Sequence, residues 1–123
     1  MTVRAIIDVG TNSTKMLVVD GDTDVLRDLT PARLGEGLAS TGRLSDDAMS
    51  RTLEVIDAFA GRARELGATD ITIVGTAACR RASNTTSFAA MVRDRSVNGT
   101  PTVTWPGSML IRWWPPTKSN APE

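Results

Sequence analysis

The segment that most constrains the fold is Val3 to Val9, a run of mostly aliphatic, β-branched-rich side chains that stops at Gly10. Such residues favour a strand, and a second apolar run begins at Met16 and continues to Val19. With Gly10-Thr11-Asn12-Ser13 between the two runs, the pattern predicts a β-hairpin. Asp20-Gly21-Asp22 supplies a second turn, and Val25 to Leu29 reads as a third strand that Thr30-Pro31 breaks. The chain is therefore expected to open with three antiparallel strands.

A glycine-punctuated loop follows, Arg33-Leu34-Gly35-Glu36-Gly37-Leu38, and leads through Thr41-Gly42 to Ser45. Ser45 is a natural N-cap, with Asp46 and Asp47 placed where the helix dipole favours acids. Met49, Leu53, Ile56, Ala60 and Ala63 recur at three- and four-residue steps and form one apolar stripe, while Arg62, Arg64 and Glu65 lie off it. Gly67 marks the end of that helix. Asp70 to Val74 reads as a short strand, and Gly75-Thr76-Ala77-Ala78 carries the chain from its end to Arg80 and Arg81. Asn84 is expected to cap a second helix whose Phe88, Met91 and Val92 share a face, fading at Arg95. The predicted order is β-β-β-α-β-α, an α/β domain over residues 1–95.

Residues 96–123 have another character. All three tryptophans and five of the six prolines lie there, and Glu123 is the only acid. No periodicity survives, so this tail is expected to be extended and disordered. The first 95 residues hold the material for a fold. At 123 residues the chain has room for one domain, which at that size buries roughly two-thirds of the surface its unfolded form exposes.

Fourteen basic residues balance fourteen acidic ones, so no net field draws the protein onto nucleic acid or an anionic membrane. Cys79 stands alone and cannot form an internal disulfide, and without histidine the common zinc sites lack ligands. A reducing, cytoplasmic setting fits that composition. Asp8 interrupts the N-terminal apolar run too early for a signal peptide or membrane span.

Chemistry concentrates in Asp8-Val9-Gly10-Thr11-Asn12-Ser13, an acid near the end of a strand, then a glycine and three small hydrogen-bonding residues. Gly10 lets the backbone approach an anion, successive amides of a tight turn form a nest, and Thr11, Asn12 and Ser13 add donors. Asp8 repels phosphate, so its work at such a site is to hold magnesium through water or to orient an attacking water. The same residues also suit a plain hairpin with a polar tip.

The run Ala5 to Ser13 resembles the first phosphate motif of the exopolyphosphatase / guanosine pentaphosphate phosphohydrolase (Ppx/GppA) family, within the actin-like (ribonuclease H-like) superfamily. Arg33 to Leu38, Thr41 to Ser45 and Thr76 to Asn84 resemble its later landmarks in the same order, so the likeness spans about residues 3 to 95. It implies a phosphoanhydride hydrolase that releases the terminal phosphate of polyphosphate or guanosine pentaphosphate. In that reading Gly10, Thr11, Asn12 and Ser13 hold phosphate, Asp8 stands beside Mg²⁺ and water, and Arg80 grips the phosphate chain. Arg33 and Glu36 either border the cleft or are plain polar residues of their loop.

The resemblance fails after the second helix. The family's base is a glutamate in a Ser-Gly-x-Glu-Glu-Ala-like segment, and Thr102 to Met109 holds no carboxylate there. A frameshift or truncation near residues 95 to 100 is the simplest expectation, leaving a chain without its catalytic base. The competing reading is a non-catalytic piece that binds phosphate or nucleotide. An ATP-using relative shares the Asp-x-Gly-Thr opening, but Arg33 to Gly42 and Thr76 to Asn84 argue against it. Marginal folding, with apolar surface left exposed, is expected.

Overall fold

The computed structural model describes residues 2–75, 78, 81–95 and 102–104. Three antiparallel strands open the chain: β1 (Val3–Val9), β2 (Thr14–Asp20) and β3 (Thr23–Thr30). After a one-turn helix α1 (Leu38–Thr41) and the long helix α2 (Asp46–Glu65) come β4 (Asp70–Gly75), α3 (Thr85–Arg95) and β5 (Thr102–Thr104). The strands form one mixed sheet in the order β3-β2-β1-β4-β5.

β1 sits at the centre because its side chains can be buried on both faces, with Ala5, Ile6, Ile7 and Val9 all shielded. It pairs antiparallel with β2, placing Ala5 opposite Val18 and Asp8 opposite Lys15. On its other side it runs parallel to β4, Ile7 opposite Ile73. Parallel neighbours need a long crossover, which α2 provides between β3 and β4.

α2 covers the sheet face that carries Ala5, Ile7, Val9, Met16 and Val18. Its Met49, Leu53, Ile56, Ala60 and Ala63 join those residues, with Ile71 and Ile73, in a single core. The predicted stripe is thus the packed face. Ser45 Oγ accepts the Ala48 N–H at 3.1 Å, as its N-cap position requires. At the other end the Ala68 N–H reaches Ala63 O and the Gly67 N–H reaches Arg64 O, both at 2.9 Å, with Gly67 at φ 94°. This is a Schellman end, for which a left-handed glycine is the usual requirement.

The structure departs from the sequence reading at four places. The loop read between Arg33 and Gly42 contains α1, bracketed by left-handed Gly37 and Gly42, and it sends Leu34, Leu38 and Leu44 into the core. The Asn84 side chain bonds outside α3. Its Oδ1 accepts the Leu44 N–H at 2.8 Å and its Nδ2 donates to Leu44 O at 2.9 Å, which staples the loop after α1 to the start of α3. On α3 the buried face is Phe88, Ala89 and Val92, while Met91 is exposed. Finally, Thr102–Thr104, within the stretch read as structureless, pairs parallel with β4 through Thr72, Ile73 and Val74. The rest of the expectation for residues 96–123 lies outside the described residues.

Candidate functional site

Alternation along β1 sends Ala5, Ile7 and Val9 toward α2 and leaves Ile6 and Asp8 on the opposite face, Asp8 next to the strand's end. The four-residue connection to β2 is closed by the Gly10 N–H donating to Ser13 O at 3.0 Å. A second segment fixes this connection from outside. The Arg33 N–H donates to Asn12 O and the Gly35 N–H to Thr11 O, each at 2.9 Å. With those carbonyls engaged, Gly10, Thr11, Asn12 and Ser13 line a cleft of about 420 Å³ together with Asp8, Lys15 and Leu29.

Two backbone features show how closely the segments meet. A Cβ at Gly35 would collide with Thr11 Cγ2, so a larger residue fits only if the Thr11 side chain or the connection shifts. Arg33 has φ 54°, a left-handed conformation that is uncommon for a side chain of its size and persists only where surrounding contacts hold it.

Asp8 is the chemically distinctive group. Its Oδ1 is buried and has no hydrogen-bond partner. Burial pushes its carboxyl above the ordinary value of 3.8, with the Lys15 charge pulling the other way. Lys15 is exposed and stands directly across the ladder from Asp8. A second cleft of about 720 Å³ on the same sheet face is lined by Ile6, Leu17, Arg27 and Leu29, and it too includes Asp8 and Lys15. The carboxylate and the ammonium thus stand where the two clefts meet.

Of the residues expected from sequence, Asp8, Gly10, Thr11, Asn12 and Ser13 come together in one cleft. Arg80 lies outside the described residues. Arg33 and Glu36 are not among the cleft's lining residues. Arg33 contributes its backbone N–H to the connection, and the Glu36 carboxylate meets the Arg51 guanidinium at 2.9 Å. Sequence reasoning missed Lys15 and Leu29. The signal for Lys15 was available, since a lysine between buried Thr14 and Met16 must point to the face opposite the core.

Comparison with known proteins bears directly on this geometry. Residues 14–98 match the model of the Ppx/GppA phosphatase family. The chain belongs to that family. It is 41% identical over 90 residues to a guanosine-5'-triphosphate,3'-diphosphate pyrophosphatase of Vibrio cholerae, covering 70% of this chain and 18% of that protein. A protein of the same description from Photobacterium profundum is 36% identical over 94 residues, covering 73% of this chain and 19% of its own length. Among solved structures, the Aquifex aeolicus Ppx/GppA phosphatase superposes with TM-score 0.76 at 25% identity, over 86% of this chain and 36% of that one. An exopolyphosphatase from Cytophaga hutchinsonii gives 0.74 at 25% identity, over 85% and 34%. The fold is thus the α/β architecture of the actin-like superfamily, and the chain spans under a fifth of the curated relatives it matches.

Proposed function

We propose that this Ppx/GppA family chain holds the phosphate chain of a phosphoanhydride substrate, polyphosphate or guanosine pentaphosphate, for hydrolysis of its terminal phosphate. The observation that carries this is Asp8 Oδ1, a buried oxygen without a hydrogen-bond partner on a half-buried carboxylate, beside a Gly10–Ser13 connection whose carbonyls Arg33 and Gly35 draw away. A buried carboxylate oxygen without a partner is costly, and a ligand that completes it would offset that cost. The names of the relatives, a guanosine pentaphosphate pyrophosphatase and an exopolyphosphatase, support the substrate class.

Magnesium fits the residues present. Among the described residues no cluster of three or more acidic, histidine or cysteine side chains could hold a metal. Mg²⁺, however, characteristically takes one or two carboxylates and completes its shell with water and substrate phosphates. Asp8 Oδ1 is the oxygen on offer, and the cation would supply the positive charge that lets a phosphate chain lie beside it. Gly10 to Ser13 would orient the phosphate, and Lys15 would offset part of its charge. The expected Arg80 contact remains part of this proposal.

Hydrolysis also needs a general base to activate water. Thr102 to Met109, where the resemblance places it, has no carboxylate. That observation favours a second reading, in which this chain binds the phosphate chain and does not turn it over. A cytoplasmic setting belongs to both readings; no described helix is long and apolar enough to cross a membrane.

The test is calorimetric titration with tripolyphosphate, with and without magnesium, alongside phosphate release from polyphosphate and guanosine pentaphosphate. Magnesium-dependent binding that Asp8→Ala abolishes is expected on both readings, and turnover on the first alone. No binding by the wild-type chain would sink the proposal. Turnover lost in Asp8→Ala would remove the second reading.

A further inference from the structure

Arg51 lies on the second turn of α2 and is absent from the lining of either cleft, yet its guanidinium is committed to the segment that fixes the Gly10–Ser13 connection. Its Nε donates to Ala32 O at 3.0 Å. Its Nη2 donates to Arg33 O at 3.3 Å and to Glu36 Oε1 at 2.9 Å. Arg33 is therefore held at both of its backbone polar groups, the carbonyl by Arg51 and the N–H by Asn12 O. Two residues on, the Gly35 N–H holds Thr11 O.

We propose that Arg51 is a positioning residue for the phosphate-binding connection, acting through residues 32–36. The left-handed φ of Arg33 is strained for a non-glycine residue and needs restraint from outside. A planar guanidinium can meet two successive carbonyls and a carboxylate at once, and it draws α2, residues 32–36 and the β1–β2 connection into one hydrogen-bonded chain. An ammonium group lacks that planar fork, so lysine is a poor substitute. The inference rests on reading Gly10 to Ser13 as the anion-binding connection.

The test uses the ¹⁵N-labelled 123-residue chain, amide hydrogen exchange without ligand, and NMR titration with tripolyphosphate and magnesium. In Arg51→Met, exchange at the Arg33 and Gly35 amides should accelerate while the β1–β2 ladder and the melting temperature hold. Tripolyphosphate affinity should fall roughly tenfold, the scale of losing an orienting outer contact. Arg51→Lys should follow Arg51→Met, whereas Arg62→Met, elsewhere on the same helix, should stay within about twofold of wild type. Unchanged exchange at Arg33 and Gly35 overturns the proposal. So does exchange accelerated across the whole sheet with a lowered melting temperature, which marks a packing role only. If the wild-type chain fails to shift its Gly10 to Ser13 signals with tripolyphosphate, the anion-binding reading is lost, and the ligand-free exchange still decides whether Arg51 restrains the segment.

Discussion

At the scale of single residues, Asp8 couples function to stability. Burial raises its folded-state pKa above the unfolded value near 3.8. Below that value the carboxyl is protonated in both states and carries no penalty. As pH rises into the window between the unfolded and the raised folded value, the unfolded chain releases the proton first, so stability falls and then stays lower. Asp8→Asn should therefore melt a few degrees higher at neutral pH and lose that advantage in acid, as thermal scans across pH would record. A less stable Asn variant at neutral pH would show that the carboxylate has a folded-state partner. Gly35 gives a steric counterpart. Gly35→Ala should cost about 1–3 kcal/mol in urea denaturation, because the added methyl drives into Thr11. That Asp8 and Gly10 to Ser13 share one cleft was legible from sequence because they are contiguous around a single turn. The Gly35 requirement was not, since it arises from a contact between segments distant in the chain.

At the scale of elements, legibility followed length. α2 shows several turns of apolar periodicity, an N-cap and a glycine stop, and the structure carries all three signals at the positions expected. α1 is too short to display a period, and β5 is three residues of Thr-Val-Thr with no pattern above its surroundings. The bonds of Asn84 to Leu44 escaped the sequence reading for a related reason. An Asn just before a helix is a good N-cap, and only the tertiary fold brings Leu44 within reach of its amide. Asn84→Ala should cost about 1–3 kcal/mol by losing two partly buried hydrogen bonds, measured by chemical denaturation. Asn84→Ser, an adequate N-cap that cannot span to both Leu44 groups, should not restore the loss. Full recovery with serine would return Asn84 to a capping role.

At the scale of the whole molecule, the sheet continues beyond the boundary that composition suggested. Thr102 to Thr104 lie in register beside β4, although the match to the family itself ends at residue 98. If the frame shifts there, the coding DNA read in a neighbouring frame after that codon should contain a Ser-Gly-x-Glu-Glu-Ala-like segment. Its absence from both alternative frames would end the frameshift account. Val25 and Leu29 on the edge strand β3 are exposed apolar residues, and Leu29 also lines both clefts. A broad thermal transition with binding of a hydrophobic dye is the expected behaviour, and a sharp two-state melt without dye binding would contradict it.

The linear order of residues was enough for the α/β class, the three opening strands, the long helix and the family, because each rests on a local period or an uninterrupted motif. Only the tertiary structure decided that one Asp8 oxygen is buried without a partner, that Lys15 faces it, and that Arg33 and Gly35 hold the connection between them. Those facts depend on which strands become neighbours and how a loop packs against a turn. Local sequence encodes neither, since pairing across a sheet joins residues whose separation along the chain carries no signal of their contact.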